Sequence, residues 1–504
     1  MAATLSMSYA SSPNLNNTVD HFINKRKCTS KSLNFGFITE SNWGISVKEK
    51  ISCITSKQRR RNHKLGSLVV SSASALASMA STSSLEFDVV VVGAGVIGLT
   101  IARQFLNESD SISVAVVDAF VPCSHGATGA GQGYLWMVHK APGSEKWELA
   151  KRSKKLWEML AQSIEDQGSD PLDLLGWKKT GSLLVGRTQE DASGLEERVK
   201  LLSEAGLRAE YLSSADLRLK EPSLEIEKEG GAAFLPDDCQ LDARRTVAFL
   251  EKENRQFASK GRYAEFYNEP ALQLIRSDNT GEVEAVQTSK NRLYCKKAVV
   301  IAAGSWSGSL MKSLLKESNI VIDVPVKPRK GHLLVIENFK AMQLNHGLME
   351  VGYINHQSVA HSTSSASAVP DDARTLSVSM AATTDSVGNL VLGSSREFAG
   401  FNWEIDDSII DQIWARAGDF FPSLREVTLA DLTKNRKVRV GHRPYMPGGI
   451  PMIGPVPGLP KLVLAAGHEG EGLSMALGTA EMVADMVLGN TGKVDFTPYS
   501  VPGR

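Results

Sequence analysis

The chain has 504 residues, 42% hydrophobic and 22% charged, with a mean hydropathy of -0.14, which describes a soluble globular protein longer than one core usually fills. Its 56 basic and 56 acidic residues balance only overall: residues 1–84 hold eleven Lys/Arg against Asp20, Glu40 and Glu49, leaving 45 basic and 53 acidic residues in the rest. An acidic body excludes an electrostatic nucleic-acid footprint. No apolar run reaches the ~18 residues of a membrane-spanning helix, and five cysteines without a CxxC pair argue against structural zinc or a disulfide framework.

Residues 1–84 are rich in Ser, Thr, Asn, Lys and Arg, with a basic cluster at Arg59, Arg60, Arg61 and Lys64 and a Ser/Ala tract from Ser71 to Ser84. Such a segment buries too little apolar surface to fold alone and lacks the apolar core of a secretory signal. A disordered transit peptide over residues 1–80 is expected, with the mature start between Val70 and Ser84. The uncharged opening Met1-Ala2-Ala3-Thr4-Leu5-Ser6 favours the plastid stroma, with the mitochondrion as the alternative.

Phe87-Asp88-Val89-Val90-Val91-Val92 reads as a buried parallel strand. It runs into Gly93-Ala94-Gly95-Val96-Ile97-Gly98, which opens a helix. Gly93 suits a tight turn, Gly95 lets a pyrophosphate approach the backbone, and Gly98 lets helix and strand pack closely. The helix N-terminus offers free N–H groups to phosphate. A second strand from Ser113 to Val117 ends at Asp118, twenty residues past Gly98, where a carboxylate can accept hydrogen bonds from ribose hydroxyls. The loop that follows carries Cys123, a candidate reactive thiol; the other cysteines read as buried or incidental. A second small-residue stretch, Gly126-Ala127-Thr128-Gly129-Ala130-Gly131-Gln132-Gly133, is unnecessary for NAD but suits a long flavin lying against backbone, so FAD is expected.

Ser144 to Gly168 predicts a helix capped by Ser144 and stopped by Gly168, with Lys151-Arg152-Ser153-Lys154-Lys155 as its solvated face. Leu241 to Gly261 predicts another helix. Gly181–Val185, Ala298–Ala303 and His332–Ile336 read as strands. His356 and His361 lie in a Ser-rich stretch, 356–382, read as a solvated loop rather than a metal site.

The ordered set of motifs resembles the FAD-dependent oxidases and dehydrogenases related to D-amino-acid oxidase, glycine oxidase and sarcosine oxidase. It covers residues 86–490: the two glycine stretches, Ala298–Ser307, Pro325–Gly331, Gly388–Ser395, Gly441–Pro444 with Pro451–Gly454, and Ala465–Gly472. The Gly388–Ser395 block is most similar to the proline-dehydrogenase, opine-oxidase and cyanide-synthase branch. The resemblance implies an α/β fold: a Rossmann-type FAD-binding domain with a doubly wound parallel sheet (85–176, 232–324, 436–504) and an antiparallel-sheet substrate domain (177–231, 325–435). It implies non-covalent FAD contacts at Gly93, Gly95, Val96, Ile97, Gly98, Asp118, Ala127, Thr128, Gly129, Gln132, Gly133, Gly304, Trp306, Gly470, Gly472, Leu473 and Ser474. Arg443 would pair with a substrate carboxylate, His468 would line the flavin site, and Tyr353 is a candidate substrate tyrosine. Gly448 stands where relatives often have Asp, and Asp118 replaces the commoner Glu. The implied activity is oxidation of an amine or amino acid, with oxygen or a carrier as electron acceptor. The alternative is a non-catalytic FAD-binding scaffold. No metal is expected.

Overall fold

The strand around Val89 is buried on both sides, and its alternation assigns each side a core. The computed structural model describes residues 83–316, 320, 322–354 and 376–502. The leader, Cys28, Cys53, His356 and His361 lie outside them. In chain order the strands are β1 (Ser83–Val92), β2 (Val114–Val117), β3 (Tyr134–Leu135), β4 (Ser182–Gly186), β5 (Glu210–Ser213), β6 (Gly231–Leu235), β7 (Cys239–Gln240), β8 (Tyr263–Phe266) and β9 (Ala271–Arg276). They continue as β10 (Val283–Thr288), β11 (Asn291–Ile301), β12 (Lys327–Ile336), β13 (Gly347–Glu350), β14 (Ser377–Thr384), β15 (Leu390–Arg396), β16 (Arg436–Tyr445), β17 (Met452–Pro455) and β18 (Leu462–Ala466).

The first large sheet runs β17-β18-β11-β1-β2-β8, with β10 and β9 added beside β11. The β18-β11-β1-β2-β8 segment is wholly parallel. Val89 and Val91 pack with the Val96–Glu108 and Gly472–Leu488 helices, while Val90 and Val92 face Leu274, Val286 and Met311. This two-sided burial is why the run is continuously apolar rather than alternating. The Ala243–Arg255 helix, capped by the Asp242 carboxylate, packs beside Val96–Glu108.

The second large sheet runs β16-β12-β15-β14-β13-β4-β6-β5. Leu334, Ile336, Met380 and Leu392 cover one face with the Asp407–Gly418 helix. Gly331 and Leu333 turn the other way, towards a cavity.

Several expectations change. The sheet is mixed rather than antiparallel throughout, because β4 and β13 pair parallel. β16 was assigned to the FAD domain, yet all ten of its residues pair with β12. β6 was also assigned there, and it lies between β4 and β5. Motif order carries no information on strand pairing, so those boundaries were displaced. The Ser-rich 356–382 stretch ends in strand, since Ser377–Thr384 is β14. Ser144 does not cap its helix: its Oγ donates to the Ala141 carbonyl and the helix starts at Trp147, although Gly168 follows its end at φ +78°. The basic run on that helix is not purely solvated. Ser153 is buried and accepts from the Gly478 N–H at 3.1 Å, and Arg152 forks onto Glu481 at 2.6 and 2.7 Å. Among the described residues, no helix is long and apolar enough to cross a membrane.

Candidate flavin and substrate site

The glycine turn after β1 is fixed by close approach. Gly93 has φ +121°, and a Cβ there would fall 2.2 Å from the Ala302 carbonyl oxygen on the neighbouring strand end. A Cβ on Gly98 would fall 1.9 Å from the Gly93 oxygen, so helix and turn can touch only through glycine. Gly95 differs: a Cβ would meet only Thr128 Oγ1, at 3.3 Å, leaving its backbone open to the cavity. No side chain caps the helix that follows, and Val96 N–H donates to Thr128 Oγ1 at 3.2 Å. Asp118 accepts from Ala94 N–H at 2.6 Å and Phe120 N–H at 2.8 Å, which pins its carboxylate beside the turn. Burial raises its pKa above the usual carboxylate value despite these bonds.

A cavity of about 530 Å³ runs from Asp118 along Gly93–Ile97 and Thr128 to Arg443 and Gly470. Its length of open backbone, helix start and terminal carboxylate fit FAD: Gly95 and the helix start would hold its phosphates, Asp118 its ribose, and Gly133 and Gly470 would border its ring system. Ala127, Thr128, Gln132, Gly304 and Trp306 also line it. Trp306 stacks on Phe401 at 4.9 Å, and Phe120 stacks on His125 at 3.9 Å, giving that end aromatic walls. The Gln132 side chain turns away to bond the Ala381 and Val391 carbonyls and Thr383, joining this segment to the second sheet.

Three expected contacts do not line the cavity. Gly98 packs against the turn. Gly129 presses on the Cys123 carbonyl, where a Cβ would sit at 2.4 Å. Ser474 Oγ donates to the Glu471 carbonyl and so braces the helix start instead. Burial pushes the Cys123 thiol up to about 11, which disfavours the thiolate that a reactive cysteine needs.

The last helix begins at Gly472, and Gly470, Gly472 and Leu473 face the cavity. Its N-terminus is positioned to favour negative charge on a reduced ring system. Glu471, just before it, is buried against Lys140 and Lys146; burial opposes its charge, but the two ammonium groups hold it well below the usual range. His468 lines the cavity, 3% exposed, with Nε2 3.0 Å from Thr479 Oγ1. Burial pushes it down to about 4, so it is neutral at pH 7.

Arg443 reaches the cavity from β16. Its Nη1 donates to the Ser395 carbonyl at 3.0 Å and occupies a notch that exists only because residue 331 is glycine: a Cβ there would lie 2.1 Å from it. Several side chains gather around it, among them Tyr353, the candidate substrate tyrosine. Arg329, directly opposite Arg443 across the β12–β16 pair, has Nη1 3.2 Å from Glu469 Oε1. Arg396 lies with its guanidinium 4.2 Å from the centre of the Tyr353 ring. Tyr134 and Tyr353 share a hydroxyl contact of 2.5 Å, and burial and Tyr353 push Tyr134 well above its ordinary value. Arg329 and Glu469 lie within the Pro325–Gly331 and Ala465–Gly472 motifs, but no motif indicates that strand pairing makes them neighbours.

A parallel dinucleotide sheet, a glycine-lined cavity and a covering sheet that lends it arginine fit an FAD-dependent oxidoreductase. The chain belongs to the DAO family, described as FAD dependent oxidoreductase, whose model matches residues 88–486. It is 24% identical over 449 residues to hydrogen cyanide synthase subunit HcnC of Pseudomonas protegens, covering 82% of this chain and 95% of that protein. It is 23% identical over 418 residues to glycine oxidase of Geobacillus kaustophilus, covering 82% and 97%. The crystal structure of glycine oxidase from Geobacillus kaustophilus superposes with a TM-score of 0.66 at 22% identity, covering 84% of this chain and all of that one.

Gly331→Ala should displace the Arg443 guanidinium while leaving FAD bound; we expect carboxylate ligands to bind at least about tenfold more weakly, read by titrating flavin absorbance. His468 gives a pH prediction. Its pKa is about 4 folded against 6.5 ordinarily, so between those values the unfolded chain binds the extra proton and stability falls as pH falls. His468→Gln should remove about 2 kcal/mol of the loss between pH 7.5 and pH 5, measured by urea unfolding at both pH values.

Proposed function

We propose that this oxidoreductase oxidises the C–N bond of an amino acid or N-alkyl amino acid of the glycine, sarcosine, proline or D-amino-acid kind. One juxtaposition carries the reading: the Arg443 guanidinium and the Gly93–Gly98 nucleotide turn line the same cavity. A relative named glycine oxidase supports a substrate of this class. Bound FAD would supply, at its N5 position, the acceptor for hydride leaving the carbon beside a neutral amine, and that C–N group becomes an iminium cation.

The protein's part is binding and orientation. Arg443 forks onto the substrate carboxylate, a geometry that fixes direction as well as charge. The Ser395 carbonyl and the Gly331 notch hold that guanidinium in one place before substrate arrives. Tyr134 stays protonated, because burial and its Tyr353 partner disfavour the phenolate, so the hydroxyl pair serves as a hydrogen-bonding wall. If the amine arrives neutral, no side chain has to accept its proton. The second sheet covers this end and keeps water from the reacting carbon.

Arg443→Ala should retain the flavin spectrum but lose about 100-fold or more in the rate of anaerobic flavin bleaching by amino acids at low concentration. Unchanged bleaching would remove Arg443 from substrate binding. We further propose, from the composition of residues 1–84, that the chain is carried to the plastid stroma. Fusing those residues to a fluorescent protein should direct it into plastids; mitochondrial or cytosolic fluorescence would contradict this.

A further inference from the structure

A group of aromatic rings lies at the nucleotide end of the cavity, and two of them come from a loop of the covering sheet. Phe120 and His125 follow Asp118 on the loop after β2, and Trp306 follows β11; all three line the cavity. Phe401 and Trp403 stand on the loop 397–406, between β15 and the Asp407–Gly418 helix. Phe401 stacks on Trp306, with ring centres 4.9 Å apart and planes 13° from parallel. Trp403 meets His125 at 5.1 Å and His442 of β16 at 4.2 Å, both near right angles. Phe120 in turn stacks on His125 at 3.9 Å and lies 6.1 Å from Trp306.

This group is separate from the hydrophobic cores. Phe120, Trp306, Phe401 and Trp403 belong to none of the core clusters, and Phe120 and Phe401 are 36% and 38% exposed. What the rings brace is the part of the cavity wall suited to a dinucleotide. The Phe120 N–H donates to the Asp118 carboxylate at 2.8 Å. Trp306 lies against Gly126, where a Cβ would be 3.5 Å from its ring, two residues before the Thr128 hydroxyl that accepts from Val96 N–H at the helix start. The loop is fastened along its length. Lys330 and Glu397 exchange backbone hydrogen bonds at 2.9 and 3.0 Å, His442 Nε2 lies 3.0 Å from the Asn402 carbonyl oxygen, and Asp406 accepts from Ser408 N–H at 2.9 Å to cap the next helix.

We propose that the loop 397–406 is a strap by which the covering sheet retains FAD. Phe401 and Trp403 stand one layer behind the cavity wall. They are positioning residues: they keep Trp306, His125 and Phe120 in place, and through the Phe120 backbone the ribose carboxylate of Asp118. The strap sets how long FAD stays bound. The proposal rests on FAD binding and is independent of which amine is oxidised.

The full chain is loaded with FAD and diluted into flavin-free buffer, and release is followed by the fluorescence of free FAD. Phe401→Ala and Trp403→Ala should each speed release about five- to tenfold, the scale of one lost ring pair. Phe401→Tyr and Trp403→Phe keep a ring and should stay within about twofold of the parent. Uptake of FAD by the apoprotein should change far less than release, because a loop that only gated entry would speed both equally. The alanine variants' apoproteins should melt within about 3 °C of the parent, which separates retention from general stability. Release unchanged within about twofold in both alanine variants would overturn the proposal. So would equal acceleration of uptake and release, the same acceleration in the ring-preserving variants, or an apoprotein so destabilised that unfolding accounts for the release. If an alanine variant does not fold, Phe401→Leu keeps apolar bulk without the stack and is read against the same outcomes.

Discussion

Burying guanidiniums is costly unless each has an ordered partner, and that cost shapes this end of the molecule. Arg443 spends one donor on the Ser395 carbonyl and lies in the space left by Gly331. Arg329 is answered by Glu469 and flanked by the Phe398 and Tyr445 rings. Arg396 takes the Ser379 hydroxyl and the face of Tyr353. These partners come from β12, β14, β15 and β16, the turn at Glu469, the Phe398 loop and the segment that carries Tyr353, so the arrangement needs β16, β12, β15 and β14 side by side. A sheet is well suited to this, because directly opposed residues on neighbouring strands point the same way.

The opposite end of the cavity solves a different problem, the approach of backbone to a charged dinucleotide. There the contacts are made by the absence of side chains. Gly93 and Gly98 are consumed in packing turn against strand and helix, while Gly95 is the position left open. Asp118 is held in place by two backbone N–H groups, while burial raises its pKa. Polar side chains tie loops beside the nucleotide end to the second sheet. Gln132 reaches three acceptors on β14 and β15, and the buried Asp238 carboxylate accepts from Met137 and Val138 N–H and from Ser182 on β4. Anchors of this kind hold the substrate end in register with the nucleotide end, which hydride transfer over a short distance requires.

Local chemistry accounts for what could be read directly from the chain. The Val89–Val92 run, the GxGxxG turn and Asp118 are consecutive elements of one βαβ unit, so spacing alone relates them. Gly98 was legible as a packing residue because its place in the turn leaves no other use. The same logic misled at Gly129 and Ser474. Both sit within motifs that approach the cavity, and whether each faces it depends on a turn of backbone that composition does not encode: Gly129 meets Cys123 and Ser474 bonds back to Glu471. Ser144 failed for a related reason, since its hydroxyl found a closer acceptor in its own turn.

What the sequence by itself determined is the class: a βαβ dinucleotide unit, a flavin-length run of small residues, and an arginine in a motif that belongs with them. The first two are set by neighbours along the chain; the arginine is singled out by the family resemblance. Tertiary structure alone decided the company that arginine keeps. Arg329, Arg396, Arg443 and Glu469 are separated by between 26 and 140 positions and meet only through strand pairing, which also drew β6 and β16 out of the nucleotide domain. Charge at a site is a sum over residues brought together in space, so no reading of one segment at a time can supply it.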